Sequence, residues 1–264
     1  MHADSAFVMG MGHRVCQDYA RAGAYGFSPH LTYGIVSDGC SSSPDTDVGA
    51  RLLALTAERL FQGYYEEGRF TINLPRVARV AESARDIFFP TLPCEALDAT
   101  LLTVMADRPD RALVCCMGDG VIAAKNWDGA LRIWDVEAPD GYPRYPNYLN
   151  HVARRELVEA GVPWIVRFPG GGEYHTSKVV PFEQPVEGAA VVAIFSDGVR
   201  SFTDAERRPI PAEEVVAELM AFKGYQGAFV QRRLYAFLKA AAKRGWRHED
   251  DVAMAAIDMA AEGA

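Results

Sequence analysis

Two short units carry the chemistry open to this chain: Ser37-Asp38-Gly39 and Ser196-Asp197-Gly198, each at the end of an apolar run. The first run, Ile35-Val36, follows the strand-favouring stretch His30-Leu31-Thr32-Tyr33-Gly34; the second is Val191-Val192-Ala193-Ile194-Phe195. Both read as buried strands, so each aspartate stands where a strand stops and a glycine lets the backbone turn. A carboxylate placed there is costly to bury unless positive charge meets it. Two such units, far apart in the chain, suggest carboxylates converging on a metal site.

Asp18, Asp119, Asp250 and Asp251 share the setting, beside predicted strand ends or in tight turns. Hard divalent cations such as Mg²⁺ and Mn²⁺ take oxygen ligands, typically a few carboxylates completed by water. Any one of these aspartates alone reads as a turn or cap residue. Their recurrence beside apolar strands favours a cation site.

The 264 residues carry a formal charge of −8, which argues against a general nucleic-acid binder. A cation site accounts for part of that charge, although an acidic surface that aids solubility is its commoner origin. Met1-His2-Ala3-Asp4-Ser5 lacks a basic segment leading into an apolar one, so no secretory signal is expected. The longest apolar runs, such as 189–195, are too short to span a bilayer. The five cysteines are odd in number and form no CxxC pair, which points to a reduced, cytoplasmic protein with no membrane association. Gly10-Met11-Gly12 and Gly170-Gly171-Gly172 lack the residues that would complete a nucleotide loop and read as turns.

Several elements must position the aspartates. A first strand is expected over 6–11. A helix over 47–65 carries Val48, Leu52, Leu55 and Leu60 on its main face, with Leu53, Ala57 and Tyr64 widening it and Asp45, Thr46 or Asp47 as cap. A second helix starts after Asn73 with Pro75 in its first turn and runs to 89, antiparallel to the first and lying with it on a sheet. Runs at 99–105, 111–117, 121–126 and 131–135 form an antiparallel meander, with Asp128-Gly129 as a hairpin turn. Residues 138–150, rich in Pro, Tyr and Asn, form an irregular segment, either a flap over a site or a plain surface connection. A strand-like stretch at 174–181, helices at 211–222 and 228–243, and a last strand at 252–259 complete the chain. With no linker or repeat, one domain over 1–264 is expected.

Taken in order, Cys16-Gln17-Asp18, Ser37-Asp38-Gly39 with Val48-Gly49-Ala50-Arg51, Asp98-Ala99-Thr100, Gly118-Asp119-Gly120, Ser196-Asp197-Gly198 and Glu249-Asp250-Asp251 span nearly the whole chain. Their order resembles the metal-dependent protein Ser/Thr phosphatases of type 2C (the PPM family), in a divergent bacterial-type branch. The resemblance implies an α+β fold: a β-sandwich of two antiparallel sheets flanked by helices on both sides, in four αββα layers. It implies two Mn²⁺ or Mg²⁺ ions, with Asp38 bridging them and the Gly39 carbonyl assisting. Asp197 and Asp250 would hold one ion, and Asp18 would orient metal-bound water. Gln17, where many members carry Glu, would be a weaker ligand. Asp119 with Asp197 resembles the pair that holds a third ion, but the aspartate expected four residues after Asp197 is Ser201.

The implied activity is hydrolysis of phosphoserine and phosphothreonine in proteins by a hydroxide bridging the two cations. A phosphoprotein is then the substrate, and a Ser/Thr protein kinase the natural counterpart. Members often place a phosphate-gripping Arg five residues before Asp18; here that position is His13, with Arg14 next to it, and either could serve. Cys40 stands where many eukaryotic members have a His, which leaves leaving-group protonation to water. The cysteine-phosphatase signature CxxxxxR is absent, so Cys16 and Cys40 read as packing residues. Two other readings remain: a pseudophosphatase acting as a binding or regulatory module, and a metal-dependent hydrolase of small phosphate esters.

Overall fold

The computed structural model describes residues 1–26, 31–66 and 70–260. His30, from which the first Ser-Asp-Gly strand is expected to run, and the last four residues of the expected 1–264 domain lie outside them. The chain begins with strands β1 (His2–Val8), β2 (Tyr19–Tyr25) and β3 (Leu31–Ser37), followed by helices α1 (Thr46–Glu66) and α2 (Leu74–Phe88). Strands β4 (Leu101–Arg108), β5 (Arg111–Met117), β6 (Gly120–Asn126) and β7 (Leu131–Glu137) form the meander, and α3 (Val152–Glu159) follows. Then come β8 (Trp164–Arg167), β9 (Glu173–Thr176), β10 (Phe182–Glu187), β11 (Ala189–Phe195) and the two-residue β12 (Phe202–Thr203). Helices α4 (Ala212–Leu219) and α5 (Phe229–Lys243), the short β13 (Arg247–His248) and β14 (Val252–Asp258) close the chain.

The strands form two large antiparallel sheets. One has the order β1-β14-β11-β6-β7-β8-β9 and the other β10-β5-β4-β3-β2. Their facing sides share one core, in which Val36, Leu102 and Val104 from one sheet meet Ile122, Val192, Ile194 and Ala255 from the other. The strands bearing the Ser-Asp-Gly units are buried on both faces, because alternate residues point opposite ways. On β3, Val36 enters the inter-sheet core while Leu31, Tyr33 and Ile35 pack under α1 and α2. On β11, Val192 and Ile194 face the other sheet, and Val191, Ala193 and Phe195 pack under α4 and α5. Helices therefore cover both outer faces, giving the four-layer αββα sandwich. Among the described residues no helix is long and apolar enough to cross a membrane.

Helix α2 starts as expected: the Asn73 side chain accepts from the Arg76 N–H at 2.9 Å, and Pro75 sits in the first turn. Helix α1 is rotated from its expected face. Its buried stripe is Ala50, Leu53, Ala54, Ala57, Phe61 and Tyr64; Leu52 and Leu60 are only partly buried, and Leu55 is 45% exposed. Small residues win the inner face because the helix lies close against its neighbours. Gly49 packs so tightly on the Ala96 carbonyl that a side chain there would overlap it.

Three further expectations are corrected. The first strand is His2–Val8, shifted towards the N-terminus from 6–11, and pairs along its full length with β14. Of the strand-like stretch at 174–181 only the start is strand, within β9; the next strand, β10, begins at Phe182 and belongs to the other sheet. Strand β2, helix α3 and strand β8 were not anticipated from pattern; α3 buries none of its residues, so it has no apolar stripe to read.

Candidate active site

The first Ser-Asp-Gly unit is held against the neighbouring strand start. Ser37 Oγ donates to the Thr100 carbonyl at 2.7 Å, and the Thr100 N–H donates to the Asp38 carbonyl at 2.8 Å. The Asp38 N–H in turn donates to Thr100 Oγ1 at 3.1 Å. Gly39 is then required by space: a Cβ there would stand 2.8 Å from both the Cβ and the carbonyl oxygen of Thr46. The second unit repeats the device. Ser196 Oγ accepts from the Ala253 N–H at 2.9 Å and donates to Asp18 Oδ2 at 2.7 Å. Each serine thus ties its aspartate's turn to an adjacent segment, a role that the sequence reading did not give them.

Three carboxylates come together at these strand ends. Asp18 is 1% exposed, and Asp38 lies close enough to Asp18 and Asp197 for both charges to act on it. Burial, the larger cause, and the charges of Asp18 and Asp197 hold the Asp38 carboxyl well above the usual range. Burial likewise raises Asp18, outweighing the lowering effect of Asp38 and Ser196 beside it. Asp250 is raised by burial and by the charge of Asp197. Asp119 is pushed up to about 8 by burial and by Asp197, against the pull of Arg200. Like charges crowded out of water need protons or a cation to hold them together.

A cavity of about 470 Å³ opens onto this cluster, lined by Asp38, Gly39, Asp119, Asp197 and Asp250 among others. Asp18 lies buried beneath, and Gln17, His13 and Arg14 are not among the lining residues. Among the described residues no group of three or more His, Cys, Asp or Glu forms a ready metal cage. The donor chemistry nevertheless fits a hard cation. The donors are all oxygens, and Asp18 Oδ1 is buried with no hydrogen-bond partner among the described residues while Oδ2 is fixed by Ser196.

The remaining expected residues have other occupations. Gln17 turns its amide onto Thr46, donating from Nε2 to Oγ1 at 2.8 Å, where it braces the start of α1. His13 is engaged by carboxylates: Nδ1 lies 2.9 Å from Asp251 Oδ2 and Nε2 lies 3.4 Å from Asp250 Oδ1. Burial alone would lower His13, but the adjoining Asp251 and Asp250 carboxylates outweigh it and the net shift is upward. Arg14 is exposed. The position expected to grip phosphate is therefore spent on the acidic pair.

Asp251, a neighbour of the expected ligand Asp250, is a structural clamp. It is 1% exposed, accepts from the Gly10 N–H at 2.7 Å and the Gln17 N–H at 2.6 Å, and lies 2.9 Å from His13 Nδ1. The glycines of Gly10-Met11-Gly12 let this loop lie directly on the 249–250 backbone, where a Cβ at either position would collide. Asp251→Ala strands one buried and one part-buried N–H donor, so it is expected to cost about 3 kcal/mol in urea unfolding. Asp250→Ala, whose side chain is 41% exposed, should change stability by less than about 1 kcal/mol and weaken metal binding instead.

One wall of the cavity comes from residues 138–150, through Ala138, Gly141, Pro143 and Tyr145. Asp98 fastens that wall: its carboxylate accepts from Asn147 Nδ2 at 2.9 Å, from Ser43 Oγ at 3.3 Å and from Arg154 on α3. Its carbonyl takes the Cys40 N–H at 2.8 Å, so one residue joins the wall to the loop after Gly39. Burial pushes the Cys40 thiol up, but hydrogen bonds from Ser42 and Tyr145 more than reverse this. Asp251 stood in the sequence only among the acidic residues favouring a cation site, and neither Asp98 nor Arg200 was given a role there. Asp98 and Asp251 had a legible signal, because each belongs to a quoted motif; Arg200 had none.

This sandwich, with aspartates at the inner strand ends, defines a class. The chain belongs to the protein phosphatase 2C family, whose model matches residues 12–239. Its structure is similar to that of a bacterial serine phosphatase, with a TM-score of 0.60 at 12% identity over 100% of both chains. It is also similar to the serine/threonine phosphatase Stp1 from Staphylococcus aureus, with a TM-score of 0.59 at 11% identity over 99% of this chain and 96% of that one. The S. agalactiae serine/threonine phosphatase gives 0.55 at 13% identity, over 96% and 97%. At such identities the likeness speaks for the fold. No curated protein matches the chain.

Proposed function

We propose that this protein is a Mn²⁺- or Mg²⁺-dependent phosphatase of phosphoserine and phosphothreonine in proteins, acting in the cytoplasm as one catalytic domain opposite a Ser/Thr protein kinase. The observation that carries it is the buried, unpartnered Asp18 Oδ1 beside Asp38 and Asp197, in a family of phosphatases. Asp38, Asp197, Asp250 and the Gly39 carbonyl would hold the cations. When bound, divalent cations acidify water and neutralise phosphoryl charge.

The chain's own groups supply the rest. Ser196 fixes one oxygen of Asp18, which leaves the other, without a partner among the described residues, to orient the attacking water. The Thr100 and Ser37 hydrogen bonds keep Asp38 at the strand end without further reorganisation. The Asp98 clamp keeps the 138–150 wall against the cavity, which limits water beside the reacting phosphoryl group. With His13 engaged by Asp250 and Asp251, phosphate binding would rest mainly on the cations.

That engagement of His13, with Gln17 turned to Thr46, favours a second reading: a pseudophosphatase that binds a phosphoprotein or regulatory partner without turnover. Phosphate release from phosphoserine, phosphothreonine and phosphotyrosine peptides and from a small phosphate ester, with Mn²⁺, Mg²⁺ or EDTA, separates the readings. EDTA-sensitive release from the first two substrates is expected. Release from the small ester alone would assign a different hydrolase, and no release by folded, metal-loaded protein would leave the binding module.

A further inference from the structure

The floor of the cavity holds one guanidinium that the roles above do not use. Arg200 ends the short turn Asp197–Arg200, and among the described lining residues it is the one Lys or Arg, in company with five carboxylates. Its Nη2 is saturated from behind. It donates to Asp135 Oδ1 at 2.6 Å, to the Val136 carbonyl at 2.8 Å and to the Gly120 carbonyl at 3.3 Å. Swinging the side chain into solvent would forfeit all three bonds. Its Nη1 therefore stays on the acidic side, 3.5 Å from Asp119 Oδ2 and 4.0 Å from Asp197 Oδ2.

We propose that the Arg200 guanidinium is the cation shared by Asp119 and Asp197, so that Asp119 is a partner of Arg200 rather than a metal ligand and the cavity takes two divalent ions, not three. The proposal rests on the metal-hydrolase reading and deepens it. An ion set between Asp119 and Asp197 would sit against a permanent positive charge that its own anchors prevent from moving away. The third carboxylate that would tighten such an ion is also missing. Ser201 has no carboxylate, and its hydroxyl is spent on the turn, donating to the Gly198 carbonyl at 2.8 Å and accepting from the Asp250 N–H at 3.3 Å. Arg200 thereby acts as a positioning residue, locking the turn that carries Asp197 to β6 and β7.

Calorimetric titration of Mn²⁺ into the metal-stripped full chain tests this without reference to activity. Wild type should bind two ions per chain, and Asp119→Asn should still bind two, each within about threefold of its wild-type affinity. Arg200→Met should admit a third, weaker ion that is lost again in Arg200→Met/Asp119→Asn, while Arg200→Lys should keep the count at two. Three ions in the wild type, or one ion lost in Asp119→Asn, would overturn the proposal and leave the phosphatase reading standing. No Mn²⁺ uptake by folded wild type would remove both. Arg200→Met leaves Asp135 and two carbonyls without their partner; should it fail to fold, the Asp119→Asn titration decides alone.

Discussion

Asp38→Asn is expected to reduce phosphate release at least about a thousandfold, equivalent to about 4 kcal/mol of transition-state stabilisation, while raising the melting temperature of the metal-free protein. The two effects have one cause. Asp38 faces Asp18 and Asp197 together, and burial with their like charges holds its carboxyl above the ordinary range. The folded state then binds more protons than the unfolded chain, so in EDTA stability is greatest at acid pH and falls as pH rises through and beyond the normal carboxylate range. An amide at 38 removes the like charge that Asp18 and Asp197 oppose and flattens this dependence. Relief of only about 1 kcal/mol would raise Tm by about 2–4 °C in a chain of this size. With Mn²⁺ present the order should reverse, because wild type gains stability from the ion and the variant gains less. Differential scanning calorimetry in EDTA and in Mn²⁺ reads both signs.

Gly198→Ala is expected to be the most damaging methyl group that can be added near the site. Gly198 is not among the glycines with positive φ, so its backbone suits any residue. Space is the constraint: the new Cβ would overlap the Asp251 carbonyl, which belongs to the backbone next to Asp250. Relief would require moving either the Asp197 turn or the 250–251 segment. A cost of about 4 kcal/mol or more, or a Tm loss of at least about 8 °C, is expected. Mn²⁺ affinity should fall with it. Gly129→Ala is the informative control. Gly129 has a φ of 89° but nothing within 4 Å of an added Cβ, so it should lose only about 1–2 kcal/mol from backbone strain and keep its metal affinity. Equal losses in the two variants would show that the contact between Gly198 and Asp251 is not tight.

What the sequence made legible followed from contrast. A carboxylate after an uninterrupted apolar run is conspicuous, which is why Asp38 and Asp197 stand out and why the strands that carry them are buried on both faces. The hairpin at Asp128-Gly129 and the start of α2 after Asn73, with Pro75 in its first turn, were equally plain, because turns and helix starts have their own residue chemistry. Strand β2 was not legible. Its sequence, Tyr-Ala-Arg-Ala-Gly-Ala-Tyr, has little strand propensity, and the strand exists because each residue finds a partner on β3. The clamp made by Asp251 was hidden for a different reason. Its partners Gly10 and Gln17 lie more than 230 positions away in the chain, at separations of 241 and 234, and no local spacing reports such a contact. The same holds for Arg200, whose anchors lie on β6 and β7 and whose place three residues after Asp197 resembles an ordinary turn position.

The most direct measurement is the initial rate of phosphate release from a phosphothreonine peptide by metal-stripped protein titrated with Mn²⁺, with wild type beside Asp197→Asn. A saturating rise from a negligible base in wild type, with the variant remaining near that base although folded, is the expected result. A rate independent of Mn²⁺, or equal rates in the two proteins, would contradict a phosphatase whose cations are held by the paired Ser-Asp-Gly turns.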